Sequence, residues 1–315
     1  MKRRVYGLVL DLPDDCCAML PPAPDEAADL VVAPMSTAAQ RPRLDGEAPL
    51  FVSPTPGPDG SSALQVFRRG AGDDTVYDFQ FARGERLLSA GRCIEFRAED
   101  RRRLEIHLLG TVLPFWLEQR GRLALHGAVA EVGGRAVALL GAGGAGKSSL
   151  LMALLESGGR LLSDDLLIVD PETREAHPAV PEMRLWLDDA ARWRGAEAAG
   201  GYQRVVAELD KRWVPVAPEH FVSVPRCLAL MVLPRRREGL AEASWQRISP
   251  SAAVAELLRH SRVARLAAAA GLEAGRLDRL AGLAREVPMR SLTYPSGVAR
   301  LPAAAAAVAA ELATI

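Results

Sequence analysis

The densest chemistry in the sequence lies in Gly141-Ala-Gly-Gly-Ala-Gly146-Lys147-Ser148, which matches G-x-x-x-x-G-K-[ST] at every position. Glycines at this spacing let successive backbone N–H groups turn toward one anion, and a helix starting here adds its positive end. The motif therefore predicts that Gly141, Gly143, Gly144, Ala145, Gly146, Lys147, Ser148 and Ser149 hold ATP. Lys147 would reach the β- and γ-phosphates, and the Ser148 hydroxyl would ligate Mg²⁺. Lysine is scarce: of 39 basic residues only Lys2, Lys147 and Lys211 are not arginine, so an ammonium here is no accident of composition.

Other chemistry-bearing residues flank the loop. Asp164 and Asp165 sit side by side, and the strand pattern Arg160 to Asp170 predicts that they point to opposite faces. One would face Mg²⁺ and the transferred phosphate while the other braces the fold. Leu166-Leu-Ile-Val-Asp170 looks superficially like an apolar strand ending in a metal-binding acid, the basis for reading an ordinary ATPase. His126 falls on the strand before the loop strand. A guanine-reading N-K-x-D and a transporter-type LSGGQ are both absent, and the four cysteines show no CxxC pair.

Positioning these groups requires a strand, the glycine loop, a helix and a return strand. Leu123 to Val132 and Arg135 to Leu140 read as strands, Ser148 to Glu156 as a helix closed by Gly158-Gly159, and Arg160 to Asp170 as the return. Upstream, short strands are expected at Val5–Leu10, Leu30–Val32, Ala63–Phe67, Thr75–Phe81 and Cys93–Phe96, separated by proline-rich stretches. Leu104 to Glu118 has helical periodicity despite Pro114. Downstream, Arg184 to Ala191 reads as helix, Leu228 to Leu233 as strand, and Ala252 to Arg285 and the Ala303 to Ala310 tail as helices. The expected organisation is a β-rich domain over 1–103 and a catalytic domain over 104–315.

Composition narrows the function classes. Half the residues are apolar (49%) and a quarter charged (25%), as in ordinary globular chains. With 39 basic against 39 acidic residues the charge cancels, which argues against bulk electrostatic binding of nucleic acid. The apolar run after Met-Lys-Arg-Arg ends at Asp11, too short for a signal peptide, and nothing is long enough to span a membrane. The expectation is a cytoplasmic protein with no nucleic-acid or membrane partner.

The run from His126 through Ser149, continuing to Gly159-Arg-Leu-Leu-Ser-Asp-Asp165, resembles the catalytic core of HPr serine kinase/phosphorylases. It is similar also to the HPr-kinase-like enzymes that tailor ribosomally made peptides, including lasso-peptide kinases acting on a C-terminal serine. The resemblance implies an α/β fold: a P-loop HPr-kinase-like core with a smaller β-rich N-terminal domain and C-terminal helices. It implies ATP- and Mg²⁺-dependent transfer to a serine hydroxyl on a peptide or small protein, and allows a homo-oligomer. Carried over by residue, Asp165 accepts the hydroxyl proton, His126 is the active-site histidine, and Lys147 binds phosphate. Ser148, Asp164 and, from Pro181-Glu-Met-Arg, Glu182 are the metal ligands. Lys211 and Arg212 look like a basic pair facing the phosphates or the substrate, with Arg212 in the catalytic set. The glycine-rich segment that follows the downstream Glu in HPr enzymes is not evident, which departs from that branch. The alternatives are an HPr(Ser) kinase, a small-metabolite kinase and a non-catalytic ATP-binding regulator.

Overall fold

The computed structural model describes residues 1–36, 48–205 and 209–315. Contacts divide them into two units: residues 1–120 with 263–275, and residues 121–262 with 276–315. The division falls after Arg120, so the helical segment read from Leu104 to Glu118 packs with the N-terminal strands rather than with the glycine loop. Among the described residues no helix is long and apolar enough to cross a membrane.

The first unit is built on a mixed sheet of eight strands among the described residues: β1 (Lys2–Val5), β2 (Leu8–Asp11), β3 (Leu30–Pro34), β4 (Phe51–Val52), β5 (Leu64–Arg69), β6 (Val76–Phe81), β7 (Arg86–Ala90) and β8 (Cys93–Arg97). The expected single strand Val5–Leu10 is instead a hairpin. Tyr6 and Gly7 both adopt positive φ (55° and 73°), the conformation a two-residue turn demands. The Tyr6 hydroxyl donates to Leu109 O at 3.0 Å and holds that turn in place. The helix Arg101–His107 is capped by Asp100, whose side chain accepts from Arg103 N. It then widens into one π-type turn, Leu108–Val112, where Leu113 N–H reaches back to Leu108 O. Pro114 accounts for the widening, because its missing N–H and its ring cannot sit in a regular ladder.

The second unit carries β9 (Leu123–Leu125), β10 (Gly127–Val132), β11 (Arg135–Leu140), β12 (Arg160–Ser163), β13 (Leu167–Val169), β14 (Glu175–His177), β15 (Glu182–Trp186), β16 (Lys211–Pro215), β17 (Arg226–Arg237), β18 (Ser244–Ile248) and β19 (Met289–Pro295). β10 and β11 form an antiparallel hairpin turned by Gly133 and Gly134, while β11, β17 and β19 run parallel side by side. β15 and β16 form a separate two-stranded ribbon.

The central strands are apolar on both faces, and side-chain alternation assigns each face its helices. Ala128, Ala130, Val137, Leu139, Leu230 and Val232 pack with Leu150–Leu155 of the helix Lys147–Glu156 and with Leu301, Ala305 and Val308 of the helix Leu301–Leu312. Val129, Ala136, Ala138, Leu140, Met231 and Met289 pack on the other side with Ala253 and Leu257 of Pro250–Arg259 and Leu280 and Leu283 of Glu273–Glu286. Helices thus cover both faces of a mixed sheet, a mixed α/β layer arrangement. The Ala252 to Arg285 stretch is broken into Pro250–Arg259, Ala264–Ala269 and Glu273–Glu286, and Arg184 to Ala191 is half strand (β15) and half helix (Leu187–Arg194).

Candidate active site

Two chain steps, side by side, create the site. The expected strand Leu123 to Val132 is interrupted at His126, and the expected strand Arg160 to Asp170 at Asp164-Asp165-Leu166. β10 pairs with β12 up to Ser163, while β9 pairs with β13 from Leu167 onward. Both chains therefore leave one pairing and enter another at the same level, and the residues at the steps meet. Gly127 permits this: a Cβ there would lie 2.7 Å from Leu140 Cδ2 and 3.0 Å from Leu139 O. Asp164 and Asp165 are thus residues of a bend and not opposite faces of one strand. The bend is closed by Ser163 Oγ donating to Leu166 O, and Asp165 occupies the left-handed region at φ 71°. Aspartate tolerates that conformation better than most side chains.

His126 Nδ1 lies 2.9 Å from Asp165 O and 3.3 Å from Asp165 Oδ1. Both oxygens are acceptors, which puts the ring proton on Nδ1 and leaves the lone pair of the neutral ring on Nε2. The other carboxylate oxygen of Asp165, Oδ2, accepts from Arg184 Nη1 at 2.5 Å. Arg184 also donates its backbone N–H to Asp164 Oδ2 at 2.7 Å, so one residue of β15 ties down both aspartates.

The ribbon β15–β16 sorts its side chains by register. Arg184 faces Trp213 and Trp186 faces Lys211, all on one side; Leu185 faces Arg212 on the other. The Arg184 guanidinium lies 4.5 Å from the Trp213 ring centre, and Lys211 Nζ 5.1 Å from that of Trp186. Lys211 is near enough to act electrostatically on Asp164, Asp165 and Lys147. Arg212, placed in the catalytic set from the sequence, is not brought to this cluster. Alternation turns it to the buried side, where it pairs with Asp210 Oδ1 at 2.8 Å. Glu182 opens β15 on the Arg184 side, opposite Pro215.

The electrostatics follow from this packing. Burial pushes the Asp164 carboxyl up to about 6, against the hydrogen bond from Arg184 N, and the charge of Asp165 adds to the rise. Burial alone would also raise Asp165, but Arg184, Arg262, His126 and Lys211 together hold it below the ordinary carboxylate value. Burial lowers His126 and Lys147, in each case against the attraction of Asp165. A carboxylate as reluctant to ionise as Asp164, next to one that is firmly ionised, is the situation a divalent cation relieves. The oxygen donors Ser148, Asp164 and Glu182 suit a hard ion such as Mg²⁺.

The glycine segment joins β11 to the helix Lys147–Glu156. Gly141, Gly144 and Gly146 adopt φ of 153°, 80° and 93°, and Ala145 N donates to Ala142 O at 3.2 Å. Gly143 has open space where a Cβ would be. Lys147 folds back, its Nζ donating to Gly141 O at 2.6 Å and Ala142 O at 3.2 Å. Ser148 and Ser149 follow in the first helical turn, below the N-cap at Gly146. Asp170, by contrast, is a turn former: its Oδ1 accepts from Glu172 N at 3.0 Å and Thr173 N at 3.3 Å. Arg235, Arg236 and Arg237 are the exposed end of β17.

The sequence reasoning missed Arg184 and Tyr294. A signal for Arg184 existed in its spacing, two residues past Glu182 and hence on the same strand face. Tyr294 gave none, since its proximity to Gly146 depends on β19 pairing with β17.

No family model matches the chain, and no curated protein matches it in sequence. Among solved structures, the Hpr(Ser) kinase/phosphatase from Coxiella burnetii is similar over 61% of this chain and 97% of its own, at 12% identity and a TM-score of 0.31. That likeness is too loose to carry a residue or an activity across.

Proposed function

We propose that the protein is an ATP-dependent phosphotransferase acting on a hydroxyl, with a serine on a peptide or small protein, such as a ribosomally made lasso-type precursor, as the acceptor. The observation that carries this reading is the meeting of Lys147 with the His126–Asp165–Arg184 cluster, close enough for the Lys147 and Asp165 charges to act on each other. A glycine loop before a helix N-terminus holds a polyphosphate; a fixed carboxylate and imidazole beside it serve a hydroxyl nucleophile.

In this mechanism Asp165 orients the attacking hydroxyl and takes its proton as the new oxygen–phosphorus bond forms and the bond from the γ-phosphorus to the bridging oxygen breaks, releasing ADP. His126, held by its Nδ1–H, keeps Asp165 in that orientation. Lys147 leaves the Gly141 and Ala142 carbonyls for the phosphate oxygens. Arg184 and Lys211 oppose the negative charge that spreads over those oxygens. Ser148, Asp164 and Glu182 would hold the Mg²⁺, which when bound would neutralise negative charge on the phosphates. The half-exposed Trp186 beside Lys211 offers an aromatic and cationic rim for an acceptor chain.

The test uses Mg²⁺, γ-labelled ATP and a panel of acceptors: peptides with internal or C-terminal serine, purified HPr, and small hydroxyl metabolites. The mass gain of one phosphate on a peptide, lost in Asp165→Asn with ATP binding retained, is the expected result. Transfer to HPr or a metabolite instead would replace the acceptor; ATP binding with no transfer to any acceptor would overturn the phosphotransferase reading.

A further inference from the structure

Tyr294 is fully buried at 0% exposure, on the second-last residue of β19, and its hydroxyl has no hydrogen-bond partner among the described residues. Buried hydroxyls are nearly always paired, because one left unpaired carries its full desolvation penalty. Phenylalanine would fill the same space without that cost. The position of the oxygen gives the reason for tyrosine: it lies 2.4 Å from where a Cβ on Gly146 would be, directly against the N-cap of the helix that follows the glycine loop. The hydroxyl is thus aimed at Gly146, one of the loop residues whose backbone would turn toward an anion. The neighbouring lysine meanwhile bonds loop carbonyls that a phosphate would displace it from.

We propose that Tyr294 is a positioning residue for the polyphosphate-bound form of the loop, its hydroxyl finding its partner when the anion orders residues 141–148. This inference rests on the loop being a polyphosphate site. Tyr294 then lends nothing to the empty protein beyond its ring, and lends its hydrogen bond to the loaded one. The two states are separated by a single atom.

The experiment is Tyr294→Phe, measured against wild type by thermal unfolding and by calorimetric titration with MgADP and with inorganic pyrophosphate. Without ligand, loss of the unpaired hydroxyl should raise the midpoint by about 2–4 °C, the shift expected in a unit of this size for relief of one such group. With ligand, affinity for both probes should fall by about 3–10-fold, the worth of one hydrogen bond. A merely structural tyrosine would lower the midpoint and leave affinity unchanged, and affinity within twofold of wild type overturns the inference. Failure of the wild type to bind either probe overturns the polyphosphate reading itself, and the inference with it. Should Tyr294→Phe not fold, wild type carrying 3-fluorotyrosine at its four tyrosines decides the matter. Its Tyr294 fluorine resonance should move on adding pyrophosphate, and a resonance that stays in place while the probe binds refutes the proposal.

Discussion

Replacing Arg184 with Gln tests whether the site is held together electrostatically. The Arg184–Asp165 pair is only partly wetted, with side-chain exposures of 26% and 23%. A guanidinium beside a carboxylate favours its ionised form, and the solvent that reaches a pair a quarter exposed screens part of that effect. Asp165 is depressed in the folded protein, so its contribution is present above the unfolded carboxyl value near pH 4 and is lost as pH falls through the lower folded value. Arg184→Gln removes that support, so the variant should be less stable than wild type by about 1–2 kcal/mol at pH 7, the worth of one partly screened hydrogen bond between charged groups. The gap should shrink as pH falls through the folded value and the carboxyl protonates. Contact with Trp213 also goes, but that loss does not depend on pH in this range. Urea unfolding from pH 3 to 8 reads the difference, with Arg184→Lys as the variant that keeps charge but not the planar fork. In the pH profile of phosphate transfer the acid limb should move to higher pH. A stability gap that is absent at pH 7, or constant with pH, would show that Arg184 is packing and not electrostatics.

Asp164 has the opposite sign. Its folded pKa of about 6 lies above the unfolded value, so its ionisation destabilises the metal-free protein by roughly 2–3 kcal/mol at pH 8, and Asp164→Asn should raise the melting temperature there while abolishing Mg²⁺-dependent stabilisation. Gly146→Ala should cost about 1–3 kcal/mol in urea unfolding from its φ of 93° and the collision with Tyr294 Oη, and Tyr294→Phe in the same chain should recover part of that loss non-additively. Lys147→Ala should reduce MgADP affinity and phosphate transfer together by an order of magnitude or more, with unfolding stability within about 0.5 kcal/mol of wild type because its bonds to loop carbonyls lie near the surface. Arg212→Lys should leave transfer unchanged and lower stability, since Arg212 is buried against the Asp210 side of the ribbon; a fall in transfer at unchanged stability would return it to the site.

What could be read from the sequence, and what could not, divides by the range of the interactions involved. The glycine loop and its helix are local: positive φ at three glycines and an apolar strand and helix on either side are written in consecutive residues. The alternation of β10, β11 and β17 is likewise local, and so is the long tail helix. The breaks at His126-Gly127 and Ser163-Asp164-Asp165 were not read because each interrupts an otherwise apolar segment for only two or three residues. Only pairing with different partners before and after it, β12 to β10 and β13 to β9, makes the step happen. The Tyr6-Gly7 turn was hidden for a different reason, since tyrosine is an uncommon choice for positive φ and gives no turn signal.

The same division explains why the loop proposed to hold a nucleotide could be read from the sequence and the cluster proposed to face an acceptor could not. A phosphate is recognised by backbone N–H groups of one continuous loop, so the residue types follow from the chain's own geometry. The His126–Asp165–Arg184 cluster is assembled from β9–β10, the β12–β13 bend and the β15–β16 ribbon, three segments whose meeting depends on sheet order. Lys211 and Arg212 illustrate the consequence. Adjacent in sequence, both basic and indistinguishable by motif, they are separated by the two-residue period of β16 once its register with β15 is known. The register puts Lys211 opposite Trp186 and Arg212 opposite Leu185, which leaves the scarce lysine on the Arg184 side of the ribbon and turns the common arginine to the buried side beside Asp210. A slip of one residue would exchange the two, so Lys211→Ala against Arg212→Ala in the transfer assay reads the register of the ribbon directly. Loss of transfer should follow the first and loss of stability the second, and the reverse pattern would mean that the ribbon pairs one residue out of step.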